Sequence, residues 1–210
     1  MKITSVKFKE SVISIYRLLT MKNKVEEYAF VGRSNVGKSS LINYLTNQKR
    51  IAKVSSLPGK TKYINFFLIN NKWYFIDLPG YGYSYRKKGI KKNQKLMINY
   101  ILYRKKITCL FLLIDCNVSI QKIDFFFIKI IMNKNVKFCV VFTKVDKLRS
   151  KKKVEESIFF CLNKLKNKKI KIHKYFVISA KNKFGKKNII KYIEELNKIN
   201  YKQKLSIPSS

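Results

Sequence analysis

Phe30-Val31-Gly32-Arg33-Ser34-Asn35-Val36-Gly37-Lys38-Ser39-Ser40-Leu41 decides the fold of this 210-residue chain. It reads as the end of an apolar strand, a glycine-bounded loop and the first turn of a helix. Residues 32–39 fit the pattern G-x-x-x-x-G-K-S/T. Gly32 and Gly37 let the backbone turn with its N–H groups facing inward, where a helix N-terminus adds positive potential. Lys38 supplies a point charge for phosphate oxygens, and the Ser39 hydroxyl suits Mg²⁺. The competing reading is a chance match in a lysine-rich, glycine-poor chain, so the flanking sequence has to decide.

Working outward, Tyr28 to Val31 is an apolar strand and Ser39 to Leu45 has amphipathic helical spacing. Residues 46–62 are polar and read as a long exposed loop, a length that is usually functional in compact domains. Strands Tyr63 to Ile69 and Lys72 to Leu78 follow, joined by a tight Asn70-Asn71 hairpin turn. Thr108 to Ile114 and Val136 to Phe142 are near-continuous apolar runs, the pattern of strands buried on both faces of a parallel sheet. Helices are expected over about 91–104, 121–133, 151–166 and 186–199, with a last short strand at Tyr175 to Ile178. Strands alternating with helices predict an α/β fold: a three-layer domain with a mostly parallel central sheet and one antiparallel hairpin strand. Residues 1–24 form a lysine-rich lead, whose apolar patch Val12 to Leu19 packs on the domain edge as a short strand or helix. Residues 25–200 make the domain and 201–210 a short tail.

The formal net charge is +36, and attraction to polyanions, RNA above all, follows whatever the fold. An AT-rich genome imposes the same lysine bias on any protein, so charge alone leaves RNA contact open. Hydrophobic residues at 46% exclude a disordered chain. Cys109, Cys116, Cys139 and Cys161 show no C-x-x-C pairing and read as buried apolar groups in a reducing compartment. His173 has no metal-ligand spacing around it. No apolar run reaches membrane-span length, so a cytoplasmic protein is expected, with monomer as the simplest state.

The chemistry lies in a constellation. The chain has four aspartates, and Asp77 and Asp146 fall at or just beyond the carboxyl ends of expected strands, where open α/β sheets bind ligands. Asp77 opens D-x-x-G, which suits a carboxylate holding Mg²⁺ through water and a glycine, Gly80, whose N–H reaches a γ-phosphate. Asp146 closes Thr143-Lys144-Val145-Asp146, where a carboxylate can accept two hydrogen bonds from the guanine N1–H and N2 amino group. Adenine offers no such donor pair. Each motif alone is weak; their order, together with Ser179-Ala180-Lys181, is what carries weight.

On AFVGRSNVGKSSLIN (29–43), PGKTKYINFFLIN (58–70), DLPGYGY (77–83), TKVDKL (143–148) and SAK (179–181), the chain resembles the EngB family of bacterial ribosome-assembly GTPases. The resemblance implies a Ras-like P-loop domain, GTP binding and hydrolysis, a role in maturation of the large ribosomal subunit through rRNA, and a part in cell division and septation. Carried over by position, Gly32 to Ser39 hold the phosphates, and Ser39, Thr61 and Asp77 attend Mg²⁺. Gly59, Lys60, Thr61, Lys62 and Tyr63 belong to the first switch, and Asp77, Leu78, Pro79 and Gly80 to the second. Thr143, Lys144, Val145 and Asp146 face the base, completed by Ser179 and the Ala180 N–H. Lys38, Thr61, Gly80 and Asn35 form the catalytic group, Asn35 as the ligand of a K⁺ ion that does the charge work of an arginine finger. The alternative for Asn35 is that it only shapes the loop. Thr143 stands where many GTPases have Asn, so a tether to the phosphate loop is expected to be lost and exchange to be fast. Tyr81 stands where Ras-type enzymes carry the water-orienting glutamine, so unaided hydrolysis is expected to be slow. That residue keeps open a second reading, an RNA-binding assembly factor using guanine nucleotide as a structural ligand. A third, an adenine-nucleotide enzyme, requires T-K-x-D to be accidental.

Overall fold

In the computed structural model, which describes residues 2–21, 25–52, 63–82, 92–134 and 136–205, the chain order is β1 (Val6–Val12), α1 (Ile15–Thr20), β2 (Glu26–Gly32), α2 (Lys38–Thr46), β3 (Ile64–Ile69), β4 (Trp73–Asp77), α3 (Lys92–Tyr103), β5 (Ile107–Asp115), α4 (Lys122–Asn133), β6 (Phe138–Thr143), α5 (Lys151–Asn167), β7 (Lys174–Val177) and α6 (Lys186–Leu205). A 3₁₀ turn covers Val145–Lys147. The strands form one sheet in the order β1-β3-β4-β2-β5-β6-β7. β2 is parallel to β4 and β5, and β5, β6 and β7 are parallel in turn. β3 is antiparallel to both neighbours, so it alone runs against the other strands.

The alternation along the central strands explains the three layers. Ala29, Val31, Leu110, Leu112, Val140 and Phe142 face one core with α3, α4 and α5. Tyr28, Phe30, Phe111, Leu113, Cys139 and Val141 face the other with α2 and α6. Because both faces are covered, every second residue has a place to be apolar and the runs read as continuous. Buried aromatic pairs such as Phe30 on Phe111, 5.2 Å between ring centroids, each contribute about 1 kcal/mol beyond their area. All four cysteines are free and buried. Among the described residues, no helix is long and apolar enough to cross a membrane.

The hairpin turn has φ of +50° at Asn70 and +53° at Asn71, with the Lys72 N–H closing onto the Ile69 carbonyl at 2.9 Å. Two left-handed residues are what a two-residue hairpin loop demands, and asparagine tolerates them. The Asn70 side chain also accepts from the Thr4 and Ser5 N–H groups, which anchors the start of the chain. The apolar patch at 12–19 divides differently from expectation. A full edge strand, β1, begins at Val6, and α1 follows it. Lys7 and Lys9 hide this strand because they lie on its exposed side. Inside, the Glu27 carboxylate receives Arg104 at 2.6 Å and the Tyr100 hydroxyl at 2.8 Å, while Arg104 also donates to the Leu18 and Met21 carbonyls. That buried node ties α1, β2 and α3 together.

Candidate functional site

The central strand β2 delivers the chain to Gly32, between β4 and β5. The loop then turns through Asn35 at φ +62° and Gly37 at φ +103° before α2 starts at Lys38. Gly37 holds the N-cap position in the left-handed region, which glycine occupies without a Cβ penalty. The Lys38 side chain folds back to donate to the Gly32 carbonyl at 3.3 Å and the Arg33 carbonyl at 3.1 Å. It is 6% exposed, and burial pushes its ammonium down to about 8 against the partial support of Asp77. The α2 N-terminus and this charge make the loop an anion cradle.

Asp77 ends β4 beside Phe30 and is buried. Its Oδ2 accepts from the Ser39 hydroxyl at 2.8 Å, while its buried Oδ1 has no hydrogen-bond partner. Burial holds its carboxyl above the ordinary carboxylate range, against partial lowering by Lys38 and Ser39. A hydroxyl converging with an orphaned carboxylate oxygen is a hard-oxygen pair that fits Mg²⁺. Among the described residues no cluster of three or more acidic, histidine or cysteine side chains could hold a metal, so Mg²⁺ at this pair would be completed by phosphate oxygens and water. Leu78 and Pro79 are buried, and Gly80 lies directly on the loop: a Cβ there would sit 2.9 Å from Ser34 Cα and 3.0 Å from Lys38 Nζ. Gly59, Lys60, Thr61 and Lys62 lie outside the described residues, and Tyr63 is exposed at the start of β3.

The third group comes from the carboxyl ends of β6 and β7. The Thr143 hydroxyl donates to the Val36 carbonyl at 2.7 Å. A tether to the phosphate loop is therefore present, contrary to expectation. The short side chain is buried directly against the loop and needs no longer arm. Lys144, at φ +57°, reaches the Asn35 carbonyl at 2.6 Å and the Asp115 carboxylate at 2.8 Å. Burial alone raises the Asp115 pKa, but the bonds from Lys144 and Asn117 outweigh it and hold the carboxyl below its ordinary range. Asp146 stands in the 3₁₀ turn and accepts from the Ser179 hydroxyl at 2.5 Å. Ser179 is buried and accepts in turn from the Asn182 N–H at 2.9 Å, fixing the turn that begins at Ala180. That bond fixes one Asp146 oxygen.

Two carboxylates escaped the motif reading. Asp115 positions Lys144. Asp124, at the third position of α4, is buried, lies 3.3 Å from the Arg33 guanidinium and accepts from the Tyr81 hydroxyl at 2.9 Å. Their rarity in so basic a chain was the available signal.

Residues 27–144 match a family model described as 50S ribosome-binding GTPase. Over 178 residues the chain is 46% identical to the probable GTP-binding protein EngB of Phocaeicola vulgatus, covering 84% of this chain and 88% of that one. The chain belongs to the EngB family of GTP-binding proteins. The EngB likeness runs nearly end to end against the Flavobacterium psychrophilum protein, at 43% identity over 206 residues, 97% of this chain and 98% of that one. A crystal structure of a probable GTP-binding protein EngB shares the fold at a TM-score of 0.60 and 26% identity, over 82% of this chain and 98% of that one. Aquifex aeolicus Era bound to GDP and aluminium fluoride superposes with a TM-score of 0.62 at 24% identity, over 84% of this chain and 57% of that one. The seven-stranded sheet with its phosphate loop is thus that of a P-loop GTPase.

Proposed function

We propose that this EngB-family chain is a GTP-hydrolysing switch in assembly of the large ribosomal subunit, cytoplasmic and monomeric, with residues 25–200 as its working domain. The observation that carries the guanine reading is the Asp146–Ser179 pair beside Lys144, at the sheet end that holds the phosphate loop. Gly32 to Ser39 take the phosphates, and Lys38 neutralises their charge, regaining a fully protonated ammonium as the anion arrives. Ser39, Asp77 and Thr61 would hold Mg²⁺, whose chemistry is to draw charge from the β- and γ-phosphates. Gly80 senses the γ-phosphate, Lys144 packs along the base, and Asp146 reads guanine with the Ala180 N–H.

Tyr81 is buried and bonded to Asp124, so its hydroxyl is not offered to an attacking water. That arrangement supports slow unaided turnover, acceleration by the ribosome being part of the proposal, and the same residue supports the second reading, a nucleotide-stabilised RNA-binding factor without turnover. The left-handed backbone at Asn35 agrees with a loop-shaping role; a K⁺ ligand role predicts faster hydrolysis in K⁺ than in Na⁺ buffer, and equal rates would remove it. The lysine-rich surface would meet rRNA, with affinity falling steeply as salt rises. A part in cell division and septation belongs to the same proposal.

The test is a fluorescent-nucleotide titration with GDP, GTP and ATP, then turnover with and without large subunits. Guanine preference with subunit-stimulated phosphate release is the expected result. Equal ATP binding would sink the guanine reading, and binding without turnover under any condition would leave the second one standing.

A further inference from the structure

Tyr81 sits immediately after D-L-P-G, and everything around it ties that segment to the phosphate loop. Its carbonyl accepts the Ser34 N–H at 2.8 Å and its N–H reaches the Gly32 carbonyl at 3.3 Å. Its ring is fully buried and stacks on Phe127 of α4, 4.0 Å between centroids and 22° from parallel. Its hydroxyl donates to Asp124 Oδ1 at 2.9 Å. Oδ2 of the same carboxylate caps α4 by accepting the Gln121 N–H at 2.8 Å. Arg33 completes the set: Nε lies 3.3 Å from Oδ1, and neither Nε nor Nη2 makes a hydrogen bond among the described residues, so Asp124 supplies the charge partner of a mostly buried guanidinium. One carboxylate thus joins the phosphate loop, the second switch and α4.

We propose that Asp124 is a positioning residue that, through the Tyr81 hydroxyl, clasps the second switch onto the phosphate loop and thereby sets the preference between guanosine diphosphate and triphosphate. The inference rests on the guanine-nucleotide reading above. The α- and β-phosphates would lie against loop N–H groups other than that of Ser34, whose N–H the Tyr81 carbonyl already holds. A terminal phosphoryl group must lie between the Lys38 ammonium and Gly80, where the structure leaves less than a methyl group's room on that side of Gly80. Seating it moves Gly80 and Tyr81 outward and stretches the Tyr81–Asp124 bond. Only the triphosphate meets this cost, so the clasp favours the diphosphate form until a partner or the phosphate itself opens it.

The experiment measures dissociation constants for GDP and for the non-hydrolysable imido analogue of GTP, on wild type, Tyr81→Phe, Asp124→Asn and Asp146→Asn. Tyr81→Phe keeps the ring on Phe127 and removes only the donor. Losing one hydrogen bond to a charged acceptor should tighten the triphosphate analogue about tenfold, with GDP unchanged within about twofold. Asp124→Asn should move the same ratio in the same direction, with a melting curve confirming that each variant is folded. Asp146→Asn should weaken both nucleotides alike and leave the ratio where it was. An unchanged ratio in folded Tyr81→Phe, or an analogue that binds more weakly, overturns the clasp. Wild type that binds neither nucleotide overturns the guanine reading and the clasp with it, whereas an intact guanine preference beside an unmoved ratio overturns the clasp alone.

Discussion

Nucleotide affinity should depend on pH through Lys38. Its ammonium, buried at the base of the phosphate loop, is held down to about 8 because desolvation outweighs the attraction of Asp77. A bound diphosphate supplies the missing counter-charge and raises that pKa, so binding takes up a proton wherever the free protein has lost it. The sign follows: affinity is at full strength below pH 8 and falls as pH rises through it. With a free-state value near 8, Lys38 is about nine-tenths charged at pH 7 and about one-quarter charged at pH 8.5, which predicts a roughly fourfold rise in the GDP dissociation constant between them. Proton uptake should be about one-half per GDP at pH 8. Titration calorimetry in two buffers of different ionisation enthalpy measures both quantities. A dissociation constant that is flat over this range, or that falls, would refute the argument, as would proton release. The folding signature has the same origin but concerns the protein without nucleotide. A cation whose folded pKa is depressed penalises the folded state in full below that value and progressively less as pH rises from it towards the ordinary lysine value, so nucleotide-free stability should rise with pH between about 8 and 10, and bound GDP should abolish the rise.

Three further outcomes follow from single contacts. Asp146→Asn should weaken GDP and GTP by about a hundredfold, the loss of a charge-assisted bond compounded by a donor facing a donor, and should improve xanthine nucleotides, whose carbonyl meets the new amide; nucleotide titration reads both, and undiminished guanine preference would refute it. Thr143→Val keeps the shape but removes the donor to the Val36 carbonyl, so GDP release in stopped flow should quicken about fivefold, the equivalent of about 1 kcal/mol, and an unchanged off-rate would show that the tether is idle. Arg104→Ala takes the guanidinium from the fully buried Glu27 carboxylate and leaves it the neutral Tyr100 hydroxyl, which should cost about 3–5 kcal/mol in urea unfolding; a loss below about 1 kcal/mol would mean that the ion pair contributes little.

How far sequence reached depends on whether a signal was local. The phosphate loop, the Asn70-Asn71 turn and the buried strands were legible because glycine spacing, left-handed asparagines and unbroken apolar runs are properties of a few consecutive residues. β1 was not. Its lysines suit an edge strand's exposed side, and its pairing is fixed by β3, some sixty positions later, through contacts such as Phe8 on Phe67. The Thr143 tether was misjudged for a related reason: residue type alone does not reveal how closely β6 approaches the loop. Arg33 belonged to the motif, but its partner Asp124 lies on a helix ninety residues away, and no spacing rule connects them.

The same comparison shows where composition itself carries information. In a chain of 47 basic residues, any carboxylate finds a cation nearby, so ion pairing alone says little about role. Yet all four aspartates engage the site: Asp77 with Ser39, Asp115 with Lys144, Asp124 with Arg33 and Tyr81, Asp146 with Ser179. Aspartate's short side chain fixes a carboxylate close to the backbone, with less rotamer freedom to lose than glutamate has, which suits groups whose position matters more than their charge. Asp115→Glu separates the two properties. It keeps the charge but adds a methylene between it and a backbone fixed at the end of β5, so the carboxylate can no longer meet the Lys144 ammonium at 2.8 Å while Lys144 also holds the Asn35 carbonyl. If Lys144 is aligned by that contact, GDP should weaken about fivefold to tenfold in the glutamate variant, with a melting temperature close to wild type because Asp115 is not fully buried and the pair is partly screened. Wild-type GDP affinity in Asp115→Glu would show that charge alone suffices there, and that the placing of aspartates around this site has no functional cause.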